Sequence, residues 1–307
     1  MKKTIMVTGG AGFLGSFVVE KISQNHRVFV PRSKNFDLTQ KLEVERLFST
    51  IKPDVVIHLA AKVGGIGANR ENPGKFFYDN VMMGINLVEA SRIYGVDKFI
   101  HIGTVCSYPK YCEVPFKEDD LWNGYPEETN APYGIAKKAI MTMLEAYRDQ
   151  YGLKSMVLLP VNLYGPRDNF NEDSSHVIPA LIKRFYQAKN NGDRIVKCWG
   201  DGSASREFLY VKDAADAISR AVDSNIENPI PINLGGSGEI TIKRLVQIIS
   251  EHVGYDGKIE WDDSMPNGQP RRCLDGSRAK DLLGWESRTN FIDGIRETIR
   301  WYIQNGS

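Results

Sequence analysis

The stretch TIMVTGGAGFLGSFVVEKIS, residues 4–23, decides the fold that this sequence predicts. It begins with a short apolar run typical of a buried strand, and its second half is a helical stretch. Between them, Gly9, Gly12 and Gly15 form a G-x-x-G-x-x-G turn. Glycine permits a tight turn and lets backbone N–H groups approach a pyrophosphate at the helix N-terminus. The stretch favours dinucleotide binding, and a tight turn without a ligand is the alternative.

Outward from this unit, nearly continuous apolar runs alternate with helical patterns through the first half of the chain. The runs are HRVFVP (26–31), DVVIHLAA (54–61), KFIHIGT (98–104) and SMVLLPV (155–161). Such strands are typical of a parallel sheet covered on both faces, with ligands at the carboxyl ends of its strands. The predicted fold is α/β: a Rossmann-type doubly wound sheet in residues 1–165, with later segments crossing back. A smaller C-terminal α/β substrate lobe is expected over residues 166–307.

Composition and charge exclude several classes of function. The chain has 307 residues, 25% of them charged, and a net charge of +1. This charge gives no general attraction to nucleic acid or to an anionic membrane. No apolar run is long enough to span a bilayer, and glycines interrupt the apolar segment after Lys2 and Lys3. The four cysteines show no metal-ligand spacing, so we expect no metal. With no export signal recognised, we expect a reducing, cytoplasmic location.

The end of the second predicted strand bears on which dinucleotide binds. An NAD site usually places an acid there to bind the ribose hydroxyls. This chain has Arg32, Ser33 and Lys34 instead, which suit the 2′-phosphate of NADP. A solvated loop is the alternative. Asp37 comes too late to be the ribose acid, and we expect it to contact the adenine.

A tyrosine and a lysine lie four residues apart in NAPYGIAKKA, residues 130–139. On a helix, Tyr133 and Lys137 share one face and can point into the same cleft. A nearby ammonium is expected to lower the pKa of a tyrosine, which helps it to transfer a proton to a carbonyl oxygen. Taken alone, the pair also fits a packed tyrosine and a solvated lysine. Together with the glycine turn, it favours catalysis.

These motifs resemble a known family. The order of the glycine turn, HLAA (58–61), GTVCSYPK (103–110) and Y-x-x-x-K resembles the extended short-chain dehydrogenase/reductases that act on nucleotide sugars. Longer blocks are similar to the GDP-L-fucose synthases within that family. The blocks are AAKVGGIGANRENP (60–73), NLYGPRDNF (162–170), SSHVIPALIKRF (174–185) and WGDGSASREFLYVKD (199–213). The resemblance implies conversion of GDP-4-keto-6-deoxy-D-mannose to GDP-L-fucose, by epimerisation at C3 and C5 and NADPH-dependent reduction at C4.

The resemblance also implies a role for particular residues. Thr104, Tyr133 and Lys137 match the reductase triad, although the family often has serine at the first of these positions. Cys106 matches the epimerase base, and His176 matches its acid. The implied cofactor contacts are Gly9, Gly12, Phe13, Leu14, Gly15, Arg32, Asp37, Leu38, Ala60, Ala61, Lys137, Asn162 and His176. The implied substrate contacts are Arg184, Trp199, Arg206 and either Arg271 or Arg272, of which Arg271 is taken first.

Several alternatives stay open or are disfavoured. The glycine turn has no cation, so NADH is the second expected cofactor. A 4,6-dehydratase would carry an acid pair where Val105 and Cys106 stand, and a UDP-sugar 4-epimerase has no need for Cys106 and His176. A GDP-mannose 3,5-epimerase or an enzyme of another GDP-4-keto-deoxyhexose stays open. A non-catalytic dinucleotide-sensing module is disfavoured because both Tyr133 and Lys137 are present.

The expected partners are a GDP-sugar substrate and a second copy of the chain. Relatives commonly dimerise through two helices per subunit. The helix over residues 80–95 and the helix that holds Tyr133 could form that bundle, or both could be buried within one subunit.

Overall fold

The computed structural model describes residues 2–64, 71–171, 174–264 and 269–306. The strands are β1 (Thr4–Thr8), β2 (Arg27–Phe29), β3 (Val55–His58), β4 (Lys98–Ile102), β5 (Ser155–Pro160), β6 (Asn162–Tyr164), β7 (Ile195–Trp199), β8 (Ser205–Tyr210), β9 (Pro231–Leu234), β10 (Glu239–Thr241), β11 (Lys258–Asp262) and β12 (Arg271–Arg272). The helices are α1 (Phe13–Ile22), α2 (Lys41–Ile51), α3 (Pro73–Ile93), α4 (Ala131–Tyr151), α5 (Val177–Asn191), α6 (Val211–Asp223), α7 (Ile242–Val253), α8 (Ser277–Leu283) and α9 (Phe291–Asn305). Short 3₁₀ turns cover Val105–Ser107 and Glu118–Trp122.

The central sheet has six parallel strands in the order β2-β1-β3-β4-β5-β9. The order runs outward in both directions from β1 and β3, which creates a switch point between them. Every residue of β3, β4 and β5 is buried, as expected for strands covered by helices on both faces. The predicted α/β, doubly wound fold is confirmed.

The turn after β1 requires glycine at two positions. Gly9 has φ +72°, in the left-handed region that favours glycine. A Cβ on Gly15 would lie 2.1 Å from the carbonyl oxygen of Gly9, so helix α1 could not approach the turn. The glycine spacing therefore fixes how β1 passes into α1.

A second, smaller core lies beside the central sheet. It is formed by α5, α7 and α9 together with strands β6, β7 and β8. Strand β8 pairs with β6, β10 and β12, and β7 pairs with β11. Strand β9 joins the central sheet, and helix α6 packs in the first core. The domain boundary at residue 165 stays a prediction. Within the described ranges, no helix has the length and apolar character needed to cross a membrane.

Candidate active site

A cavity of about 1920 Å³ lies at the carboxyl ends of the parallel strands. Its walls come from the segments that follow β1 to β5 and from the second lobe, which closes the other side. The predicted site residues that line it are Gly9, Gly12, Phe13, Leu14, Gly15, Arg32, Asp37, Leu38, Ala60, Ala61, Thr104, Cys106, Tyr133, Asn162, His176, Trp199, Arg206, Arg271 and Arg272. Lys137 and Arg184 are absent from this lining. Among the described residues, no group of three or more His, Cys, Asp or Glu could hold a metal ion.

The floor of the cavity is the N-terminus of α1. Gly12 is its N-cap, no side chain caps it, and its first turn carries no acidic residue. Its N–H groups and the positive end of its dipole therefore point to the cavity without a compensating anion from α1. This end of the cavity fits a pyrophosphate.

The far end of the same floor is electropositive. Arg32 follows β2, is exposed and lines the cavity, and the exposed Lys62 lines it as well. Lys75 also lines the cavity but is ion-paired with Asp79. Asp37 is already engaged, because its Oδ1 accepts hydrogen bonds from the backbone N and the hydroxyl of Thr39. These bonds hold the pKa of Asp37 below its ordinary value. The surroundings of Arg32 fit a phosphate better than a pair of ribose hydroxyls.

Tyr133 and Lys137 lie on one face of α4, and both are buried. The Lys137 Nζ donates to the carbonyl oxygen of Ile102 at 2.9 Å and lies 5.9 Å from the centre of the Tyr133 ring. Burial lowers the pKa of Lys137 to about 7. Burial, together with the nearby Cys106, raises the pKa of Tyr133 above its ordinary value. The predicted lowering of the tyrosine pKa is therefore wrong, because burial desolvates the phenolate.

Helix α4 packs directly on the turn that carries the cysteine. A Cβ on Gly134 would lie 2.4 Å from the carbonyl oxygen of Cys106, and the Ser107 hydroxyl donates to the carbonyl oxygen of Gly134 at 3.1 Å. The Thr104 hydroxyl oxygen caps the same turn by accepting from the backbone N of Cys106 at 3.2 Å. This close approach brings Thr104, Cys106 and Tyr133 to one wall of the cavity.

The partners of Cys106 and the setting of His176 come from the second lobe. Arg272 places its Nη1 3.9 Å from the Cys106 Sγ. His176 is the N-cap residue of α5 and its side chain is exposed at the cavity wall. The protein around this ring still desolvates it, which lowers the pKa of His176 below its ordinary value. The ring therefore holds a proton less tightly than a free histidine side chain does.

The predicted substrate residues divide into two groups. Trp199 and Arg206 line the cavity, and burial lowers the pKa of Arg206 to about 10. Arg271 also lines it but is ion-paired with Glu239. Arg184 donates its Nη1 to the carbonyl oxygen of Lys197 at 3.0 Å and lies outside the lining. The role of each residue stays a prediction.

Two residues that support the site were not predicted from the sequence. Asn80 is buried in α3, and its side chain both accepts from the backbone N of Lys62 and donates to its carbonyl oxygen. It thereby fixes the segment that follows β3. Gln269 joins Arg272 to the backbone of Lys110. Neither residue carries a local signal, since each acts on a segment distant in sequence.

Comparison with known proteins defines the class. Residues 5–235 match the NAD dependent epimerase/dehydratase family, and the chain belongs to that family. It is 40% identical to GDP-L-fucose synthase 1 of Arabidopsis thaliana over 98% of this chain and 93% of that one. These matches confirm the resemblance read from the motifs, and the prediction that the chain is an enzyme of this family.

Two solved structures are similar over nearly the whole chain. A GDP-L-fucose synthetase from Naegleria fowleri bound to NADP has a TM-score of 0.91 and 30% identity, covering 99% of this chain and 93% of that one. A GDP-6-OMe-4-keto-L-xylo-heptose reductase from C. jejuni has a TM-score of 0.92 and 26% identity, covering 99% and 98%.

Proposed function

We propose that this enzyme converts GDP-4-keto-6-deoxy-D-mannose to GDP-L-fucose with NADPH. The observation that carries the proposal is the meeting of Thr104, Cys106, Tyr133 and His176 on one cavity whose floor is the α1 N-terminus. Similarity to the Arabidopsis synthase supports the same reaction. The cavity volume of about 1920 Å³ exceeds the roughly 300–1,000 Å³ typical of a pocket for one small molecule, which supports binding of both a dinucleotide and a nucleotide sugar.

The first half-reaction epimerises C3 and C5. The C4 ketone acidifies the neighbouring C–H bonds, so the Cys106 thiolate can take a proton and leave an enolate. The His176 imidazolium then returns a proton to the same carbon from the opposite face. The C–H proton ends on sulfur and the imidazolium N–H proton ends on carbon, so the charges balance. The thiol then loses its proton to solvent and the imidazole takes one up from solvent, which restores the pair for the second carbon. Cys106 and His176 come from different lobes, which is compatible with attack on opposite faces of one ring.

The second half-reaction reduces C4. NADPH supplies the hydride when bound. Tyr133 donates its phenolic proton to the C4 oxygen, and the Thr104 hydroxyl hydrogen-bonds the same oxygen as charge develops on it. The raised pKa keeps Tyr133 protonated until that charge appears. Lys137 lies behind the tyrosine and is placed to influence the phenolate.

NADPH is the proposed cofactor because Arg32 follows β2 where an acid would favour NAD. The NADP in the similar Naegleria structure supports this choice. NADH is the second choice, since the glycine turn itself carries no cation.

The proposed assembly is a homodimer built on α3 and α4. These helices pack tightly on each other, since a Cβ on Gly84 would lie 2.4 Å from the Ile140 Cδ1. Phe77, Tyr78 and Ile85 of α3 are left exposed, which gives a second copy an apolar face. Light scattering of the protein in solution tests this arrangement. A cytoplasmic location stays a prediction from the sequence.

The deciding experiment incubates the protein with GDP-4-keto-6-deoxymannose and NADPH in D₂O. We expect stoichiometric loss of NADPH absorbance and, by NMR, deuterium at C3 and C5 of GDP-L-fucose. Loss of NADPH without deuterium would identify a plain 4-ketoreductase, a candidate favoured by the similar C. jejuni reductase. Absence of NADPH loss would instead favour a 3,5-epimerase, and GDP-mannose would be the next substrate.

A further inference from the structure

We propose that Arg272 holds Cys106 as a thiolate, and that Gln269 positions Arg272 for this purpose. The inference rests on the proposed function, in which Cys106 is the base that removes a proton from the sugar. It gives Arg272 a role different from substrate contact, and it makes the base a two-residue unit.

The contact geometry is the first support. The Arg272 Nη1 lies 3.9 Å from the Cys106 Sγ, within hydrogen-bond range for sulfur. On its other side the guanidinium donates to the Gln269 Oε1, from Nε at 3.1 Å and also from Nη2. The Gln269 Nε2 in turn donates to the carbonyl oxygen of Lys110 at 2.9 Å. Gln269 thus ties the guanidinium to the loop that carries the cysteine.

The segment that carries Arg272 is firmly anchored. The backbone N of Leu274 donates to the buried Glu207 carboxylate at 2.8 Å. Phe116 and the segment exchange two backbone hydrogen bonds, from Phe116 N to the Cys273 oxygen at 2.8 Å and from Asp275 N to the Phe116 oxygen at 2.9 Å. Both Phe116 and Leu274 are buried. The guanidinium therefore belongs to a rigid frame that places it against the thiol.

The charge balance around the pair also favours a thiolate. Arg271 is neutralised by Glu239, whereas no carboxylate in the described part of the chain forms an ion pair with Arg272. Its neighbour on β8 is the cationic Arg206, which adds positive potential. Tyr133 faces the thiol from α4 and is uncharged at neutral pH. Among the described residues, the cation beside Cys106 thus has no carboxylate partner, and a thiolate would supply the missing negative charge.

This arrangement has a direct chemical consequence. The thiolate, not the thiol, is the base, and a cation within about 4–6 Å favours the charged form. Arg272 supplies this cation, so His176 is needed only as the acid.

The test measures alkylation of Cys106 by iodoacetamide in the ligand-free protein, resolved by peptide mass spectrometry. We expect Arg272→Met to slow alkylation of Cys106 about tenfold near pH 7, a factor within the range that one adjacent charge produces. Arg272→Lys should retain most of the rate, because the charge remains. Cys112, whose pKa is raised by burial to about 11, serves as the internal reference in the same samples.

Gln269→Leu tests the positioning residue. We expect about a threefold slower alkylation of Cys106, with Cys112 unchanged, since the guanidinium keeps its charge but loses its fixed direction. Arg296→Met on α9 removes an arginine away from the cavity and should leave the Cys106 rate unchanged.

An unchanged Cys106 rate in Arg272→Met, or an equal loss in Arg272→Lys, would overturn the inference. The alkylation rate is measured without substrate turnover. It therefore tests the Arg272–Cys106 pair independently of the proposed function. In D₂O, Arg272→Met should lower deuterium uptake at C3 and C5 about tenfold. If the wild type takes up no deuterium while the alkylation result holds, the proposed function fails and the Arg272–Cys106 pair stands.

Discussion

The residues assigned to reduction and those assigned to epimerisation are held in two different ways. Tyr133 and Lys137 lie one turn apart on α4 and are nearly fully buried. Cys106 and His176 come from a 3₁₀ turn and from the N-cap of α5, and His176 is exposed at the cavity wall. The first pair is set by one helix, and the second is set by the meeting of two lobes.

The difference follows from the chemistry assigned to each pair. Proton donation to a developing alkoxide needs a phenol that stays neutral until the hydride arrives, and burial provides this. Epimerisation needs a charged base at the outset, and burial alone would remove that charge. A cation must accompany the thiol, and the second lobe supplies it as Arg272. The two pairs line or adjoin one cavity, and their different surroundings give each pair the protonation state that its reaction needs.

The largest expected effect separates the two pairs. Tyr133→Phe removes the proton donor and should lower the rate of C4 reduction about 10³-fold, within the range for general acid catalysis. Deuterium uptake at C3 and C5 should persist, because Cys106 and His176 are intact. NADPH absorbance and NMR measure the two reactions. Tyr151→Phe, on the exposed end of α4, is the matched control.

His176→Asn is the converse test. Loss of the acid should lower deuterium uptake about 10²-fold, again within the range for one acid–base group. Reduction of a substrate that is already epimerised should fall much less. Equal losses of both rates would mean that His176 serves the whole site, and the division between the pairs would not hold. His252→Asn, on α7, controls for removal of an imidazole.

Lys137→Met tests the cost of burying a charge beneath the tyrosine. Burial lowers the pKa of Lys137 to about 7 from an ordinary 10.5, so between these values the unfolded chain binds a proton that the folded chain does not. The stability of the wild type therefore rises with pH across this window. Below about pH 7, Lys137→Met should raise the free energy of unfolding by about 2 kcal/mol. This figure already allows for loss of the hydrogen bond to Ile102.

Urea denaturation at about pH 6 and about pH 9 measures this effect, and the advantage of Lys137→Met should shrink at the higher pH. Reductase activity should fall in the same variant. A pH-independent difference would show that packing, not charge, decides the result. Lys41→Met, on the exposed face of α2, is the control and should change neither the free energy of unfolding nor the reductase activity.

Arg32→Ser examines the cofactor end, where the smallest effect is expected. Loss of one charge-assisted contact to a phosphate should raise the KM for NADPH about tenfold. The KM for NADH should change little, because NADH has no 2′-phosphate. Arg27→Ser, on β2 and outside the cavity lining, is the control. Equal changes with both cofactors would remove the argument for NADPH.

Some of the site could be predicted because its signals are local. The spacing of Gly9 and Gly15 predicts the turn from a few neighbouring residues. The i, i+4 spacing predicts that Tyr133 lies beside Lys137 on one helix face. Arg184 makes a contact that such reasoning does not supply, and its role stays a prediction. Helical spacing puts it on roughly the same side as His176, yet its guanidinium binds the carbonyl oxygen of Lys197 and lies outside the cavity lining. Spacing on one helix does not predict which neighbouring strand a long side chain will hydrogen-bond.

The sequence by itself determined the α/β doubly wound fold, the dinucleotide turn and the residues that could do chemistry. These features depend on periodicity and on short-range backbone requirements. Only the tertiary structure decided that burial raises the pKa of Tyr133 and lowers that of Lys137. It also paired Arg271 with Glu239 and brought Arg272 to Cys106, 166 residues away in the chain. Desolvation and charge proximity arise when distant segments pack together, so no local pattern of residues encodes them.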